Sequence, residues 1–227
     1  MKKLMIIAGL MALCLGAAAQ EKIYSVKSGK VTMEMDMMGQ KIVQQNYFDD
    51  YGVKQATVME MMGQKMRSIE VDGKNVMIDD AAKTAISMPG MGPQMGGNNK
   101  INFLNLDEKT IKKNKIKEEG QEEVAGKMCT KYSYRMLMMG QGVNVHAWVY
   151  KGITLKSTIK TDFGEMVTKA TKVEVDIQVD PALFGLPEGV EVQEMDMSMM
   201  GGGFYARASN TVYESPGKLF PVIFVSV

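Results

Sequence analysis

The sequence predicts a mainly β protein with a little α, built as one large antiparallel sheet of roughly ten strands with a helical piece across one mouth. Three observations carry this. Met-Met-Gly-Gln occurs at 37–40, 61–64 and 138–141, each time closing a run that alternates in polarity. Gly takes positive φ at no steric cost, so Gly followed by a polar residue between alternating runs is a two-residue hairpin signal. Further corners at Asp50-Tyr51-Gly52, Asp72-Gly73, Lys151-Gly152 and Asp162-Phe163-Gly164 extend the strand-turn-strand pattern over most of the chain. A sheet that large must curl or split.

The first nineteen residues stand apart. Lys2 and Lys3 form a basic start, 4–15 an apolar core, and Ala17-Ala18-Ala19 a small-residue exit. This is the layout of a secretory signal, with cleavage expected after Ala19 and a periplasmic location to follow. The apolar run is too short for a membrane-spanning helix, which needs about 20 residues, and no later stretch approaches that length. Leu13 before Cys14 argues against lipid attachment there. The formal net charge is +1 and falls just below zero once Lys2 and Lys3 leave, so no charge field favours nucleic acid. Cleavage also removes Cys14, leaving Cys129 without a partner for an intrachain disulfide; within its strand pattern it reads as a small buried hydrophobe. The expected domains are a signal peptide over 1–19, one β domain over 20–195, and a Gly/Met-rich linker with a poorly ordered tail over 196–227.

Period two begins at Val31. Val31, Met33, Met35 and Met37 point one way and Thr32, Glu34 and Asp36 the other. The return run 41–49 is mixed, which leaves its inward face open. The hairpin of 53–62 and 65–71 follows, with Thr57, Met59 and Met61 on one face, before Asp72-Gly73 leads into 75–79. Pro and Gly are too dense over 88–97 for regular structure. Over 101–114, Phe103, Leu104, Leu106 and Ile111 alternate with charges, and Asn105 or Asp107 is placed to cap a short amphipathic helix. The second half resumes with 121–124, 128–139, 143–150, 153–160 and 165–179. In the second of these Met128, Thr130, Tyr132, Tyr134, Met136 and Met138 share a face. Residues 181–189 form an apolar plug, with Leu183, Phe184 and Leu186 available to pack on an open end of the sheet.

The order of these features resembles the lipoprotein-carrier superfamily of the bacterial envelope, the LolA/LolB-like proteins, and most of all its uncharacterised exported relatives. The segments that carry the likeness are 47–52 (YFDDYG), 66–74 (MRSIEVDGK) running into 78–80 (IDD), 122–132 (EEVAGKMCTKY) and 183–190 (LFGLPEGV). The resemblance implies a LolA-like curved antiparallel half-barrel whose helices lid a hydrophobic cavity, and an acyl chain or acylated envelope lipoprotein as partner. In the carriers a strand arginine helps to hold the lid. Arg67 lies on a strand in that region without the surrounding motif, and the role is not carried over to it.

Methionine is the compositional oddity, with 24 in the chain. Thioethers are flexible and polarisable and suit a cavity for greasy ligands of varied shape. On this reading Met33, Met35, Met37, Met59, Met61, Met136 and Met138 line the concave face, with Phe103 and Leu104 on the lid, and the alternative is ordinary core filling. Soft thioethers also select Cu(I), and Met88, Met91 and Met95, like Met195, Met197, Met199 and Met200, cluster on Gly-rich stretches. The single histidine, His146, rules out a His-rich metal site. Adjacent carboxylates such as Asp49-Asp50, Asp79-Asp80 and Glu122-Glu123 fall at corners or point to opposite faces, and no phosphate loop or nucleophile elbow occurs. Lys109, Lys112, Lys113, Lys115 and Lys117 either greet anionic headgroups or form a solvated helix end. The expectation is a non-enzymatic envelope protein that binds a lipid or acyl chain and needs no cofactor. A Met-rich copper(I) protein, or a structural or stress-related protein with a filled cavity, stands as the alternative.

Overall fold

The alternating runs become strands wherever their corners supply a tight turn. A computed structural model describes residues 21–37, 40–61, 63–71, 74–88, 101–138, 141–161 and 164–194. Residues 1–20, 89–100 and 195–227, and with them the expected signal peptide, Pro/Gly-rich loop and tail, lie outside the described residues. The first meander is β1 (Gly29–Met37), β2 (Gln40–Asp49), β3 (Lys54–Met61), β4 (Gln64–Val71), β5 (Lys74–Asp79) and β6 (Thr84–Met88). The second is β7 (Lys117–Val124), β8 (Lys127–Met138), β9 (Gln141–Tyr150), β10 (Ile153–Thr161) and β11 (Gly164–Val175), and β12 (Val192–Glu194) comes last. All twelve join one sheet in the order β12-β6-β5-β4-β3-β2-β1-β11-β10-β9-β8-β7.

The fold class is the expected one: mainly β, a large curved sheet left open, with one helix. The three Met-Met-Gly-Gln corners close two-residue hairpins, since Met37 pairs with Gln40, Met61 with Gln64 and Met138 with Gln141. Gly63 takes φ +77° in its turn, the conformation a two-residue hairpin demands. The two meanders meet in the middle, where β1 runs antiparallel to β11 with a bulge at Thr32/Met33. That ladder joins strands far apart in the chain, and neither strand's local sequence announces it.

Three expectations need correction. The strand count is twelve, because the short β6 and β12 join the ten expected runs, and β7 starts earlier than expected, at Lys117 rather than at 121. The helix α1 covers only Glu108–Asn114, with Asp107 as its cap accepting from the Thr110 amide at 2.7 Å. Residues 101–107 ahead of it are turns, because Asn102 and Asn105 bond back to Glu21 and Lys22 instead of entering a helix. Finally, 181–189 does not plug an end of the sheet. From Asp176 the chain crosses the sheet as a strap, turns through a short 3-10 helix at Pro181–Phe184 capped by Asp180, and reaches the far edge, where β12 pairs parallel with β6.

The strap sets where the core lies. Leu183, Phe184, Val190 and Val192 pack on Ala56, Ile69, Val76, Ile78 and Ala85. A second cluster joins Val26, Val31, Met33 and Phe48 to Val124, Cys129, Trp148, Ile153, Leu155 and Ala170. Cys129 is fully buried there, as expected of a small hydrophobe, and burial raises its thiol to about 11.

Candidate functional site: the methionine face

The register assigns each strand residue to one of two faces. Met33 lies opposite Gln44, Gln44 opposite Met59, Met59 opposite Met66. On the other side, Met35 lies opposite Thr168, and the row Tyr134, Val145, Ile159 and Met166 runs parallel to it across β8–β11. Met136 is opposite Val143 in the same alternation. Met33, Met35, Met59 and Met136 therefore share one face of the sheet. Met33 is buried and the other three are half-buried. Met37, Met61 and Met138 end their strands in the same alternation, and their side chains lie outside the described set.

Phe103 caps this face. Its ring lies 5.0 Å from that of Tyr132 and 6.0 Å from that of Tyr134, the spacing of tilted aromatic pairs. Burial pushes the Tyr134 hydroxyl up to about 12. Leu104 goes elsewhere. It is 41% exposed and sits at the β9–β10 turn, where a Cβ on Gly152 would come within 3.0 Å of its Cγ. Its neighbour Phe103 alone packs on the tyrosines of β8, because consecutive residues of a turn diverge. Met66, Met77 and Met166 join the face half-buried, although the sequence did not single them out. Their alternation was visible, but only the register shows that they continue the same surface.

A row of neutral polar side chains crosses the face beside the methionines. Thr57 Oγ1 donates to Asn46 Oδ1 at 3.0 Å, Gln44 Nε2 to the same oxygen at 3.4 Å, and Ser68 Oγ to Asn75 Oδ1 at 2.5 Å. Asn46 Nδ2 is directed to the Met33 sulfur at 3.1 Å.

The opposite face carries the lysines and arginines of the strands. Arg67 is 5% exposed and makes four hydrogen bonds: Nε and Nη2 to the Asp80 carboxylate at 3.0 and 2.7 Å, and Nη1 to the Leu183 and Gly185 carbonyls at 2.8 Å each. It pins the strap to β4. The bond from Arg67 holds the Asp80 carboxyl below its ordinary range. On the second meander, Trp148 donates Nε1–H to Glu122 at 2.7 Å, with the Lys156 ammonium 3.9 Å from its ring centroid. His146 Nδ1 lies 3.0 Å from Glu119. Hydrogen bonds from Ser133, Lys131 and His146 hold the Glu119 carboxyl down at about 2. A cleft of about 270 Å³ opens beside the strap, among Val53, Lys54, Gln55, Glu70, Pro181, Phe184 and Gly185. It lies below the usual ~300–1,000 Å³ range of small-molecule sites.

No helix among the described residues is long and apolar enough to cross a membrane. No family model matches the chain, and no curated protein matches it. Solved structures do show similarity. A crystal structure of MucB superposes with TM-score 0.45 at 14% identity, covering 71% of this chain and 58% of that one, so the match spans little more than half of MucB. An uncharacterised conserved protein from Thermus thermophilus gives TM-score 0.49 at 10% identity, covering 75% of this chain and 92% of its own. A putative outer membrane lipoprotein-sorting protein domain from Vibrio parahaemolyticus gives TM-score 0.35 at 14% identity, covering 70% and 89% respectively.

Proposed function

We propose that the protein is a non-catalytic binding protein of the bacterial envelope whose methionine face takes an apolar ligand, a lipid or acyl chain, beneath Phe103 and the segment leading into α1. The observation that carries this is the surface itself. Half-buried Met35, Met59, Met66, Met136 and Met166 lie in register with Tyr132, Tyr134 and Ile159 across the sheet. Thioethers adapt to chains of varied shape, and an aromatic cap shields one end from water. An acylated envelope lipoprotein is one source of such a chain.

Native mass spectrometry of protein purified from the periplasm without detergent tests the proposal. The expected result is a non-covalent adduct of lipid mass, released by organic solvent. A clean apo mass overturns it. A mass heavier by a single copper favours the Cu(I) alternative, whose footing in the fold is the direct cross-strand pairing of Met59 with Met66, since thioethers are soft ligands. Met91, Met95 and 195–200, the stretches that suggested copper in the sequence, lie outside the described residues.

A further inference from the structure

Building on that reading, we infer that the ligand of the methionine face has an uncharged, oxygen-bearing head of the glyceride or fatty-alcohol type, and that fatty-acid anions and anionic phospholipids are disfavoured. The first support is a segregation of charge. Every lysine and arginine in the described strands falls on the opposite face: Lys30 pairs across with Glu174, Lys65 with Glu60, Arg67 with Ile78, Lys131 with Trp148, and Lys156 with Lys169. The charged residues sharing the methionine alternation are acids, Glu70 and Asp79 in the first meander and Glu118 and Glu123 on the edge strand β7. A carboxylate or phosphate drawn onto this face loses its water, gains no counter-charge from the strands and meets like charge at the margins, which is costly in a low-dielectric setting.

The second support is the polar row. Gln44, Thr57 and Ser68 are 8%, 7% and 6% exposed, and all three are neutral. Asn46, half-buried at the centre of the row, accepts two hydrogen bonds on Oδ1 but directs Nδ2 to the sulfur of Met33. A thioether is a weak acceptor. An ester carbonyl or hydroxyl oxygen of a ligand is a better partner for that N–H, and it needs no cation. The chain then lies along Met35, Met59 and Met166, and the head meets Asn46.

Delipidated protein offered equimolar monoolein and oleate at pH 8, read by native mass spectrometry, discriminates between heads on one chain length. Monoolein is expected to bind in excess of oleate by about 10-fold or more, the ratio that ~1.4 kcal/mol gives. Oleate binding as well as or better than monoolein overturns the inference and leaves the lipid-binding proposal standing, whereas binding of neither overturns that proposal itself. Asn46→Leu is expected to cut the monoolein preference about 5-fold, the worth of one ordinary hydrogen bond, with melting temperature as the check on folding. An unchanged preference in a folded Asn46→Leu protein removes Asn46 from the head site. Met35→Lys, at a half-buried position on the same face, is expected to raise oleate binding about 10-fold. Retained monoolein binding with no gain for oleate in that variant overturns the charge argument even if Asn46→Leu fails to fold.

Discussion

Replacing Arg67 by methionine removes the four hydrogen bonds that tie the strap to the sheet while keeping an apolar stem of similar length. The consequences differ for the two sets of acceptors. Asp80 is half exposed at 51% and returns to water, so losing its partner costs little. The carbonyls of Leu183 and Gly185 faced a buried guanidinium and are left without a donor, at about 1–3 kcal/mol each. Relief from desolvating the guanidinium offsets part of this. The net expectation is a loss of about 3 kcal/mol, a fall of roughly 6–12 °C in melting temperature for a domain of this size. Arg67→Lys retains the charge, but an ammonium cannot span a carboxylate and two carbonyls, and a loss of about 1–2 kcal/mol is expected. Urea unfolding followed by far-UV circular dichroism measures both variants, and hydrogen exchange over 181–190 tests whether the strap loosens first. A methionine variant within about 0.5 kcal/mol of the parent, the scatter of ordinary surface substitutions, with strap exchange unchanged, refutes the view that this arginine holds the strap.

Three further outcomes follow from the same geometry. Glu119 titrates at about 2 in the folded protein, below its unfolded value, so its contribution is complete above the ordinary carboxylate range and is lost as pH falls from about 4.5 toward 2; Glu119→Gln should flatten the stability profile in that window and leave pH 7 to 8 little changed in slope, as acid titrations of both proteins will show. The Cys129 thiol is buried and raised to about 11, so iodoacetamide at pH 8 should leave the native protein unmodified and alkylate it fully in urea; rapid native alkylation contradicts the packing described. Gly152 takes φ +87°, and a Cβ there would collide with the Ile23 carbonyl oxygen, so Gly152→Ala should cost about 2–3 kcal/mol through backbone strain plus displacement of 23–24, checked by thermal melting.

The sequence was most readable where structure is local. The hairpins were set by period two and a glycine corner, and the cap of α1 by an aspartate ahead of a short amphipathic run. Legibility failed where a partner is distant or a signal is thin. β7 carries Lys117 through Glu123 exposed at the sheet edge, so it has no burial alternation to detect, and its charges blunt pairing with other chains. β6 runs straight into a Pro/Gly-rich stretch, and β12 has three residues whose partner lies more than a hundred positions earlier. In the site, the methionine alternation was legible strand by strand. That Met66, Met77 and Met166 extend the same surface depended on register, which no single strand encodes. Arg67 is the sharpest case. An isolated arginine in a strand ordinarily implies solvent, and two of its acceptors, the strap carbonyls, lie 116 and 118 residues further along.

That separation bears on the order in which the chain can complete itself. The first meander is synthesised long before the strap, so Ile69, Val76, Ile78 and Ala85 present their apolar side to the surroundings until Leu183 and Phe184 arrive. During that interval the half-made sheet offers a sticky apolar surface, the kind that holding chaperones engage, and Arg67 has Asp80 but not yet its two strap carbonyls. A ribosome-bound chain stopped before residue 181 should therefore remain a chaperone client, and one extended past Glu194 should be released from it.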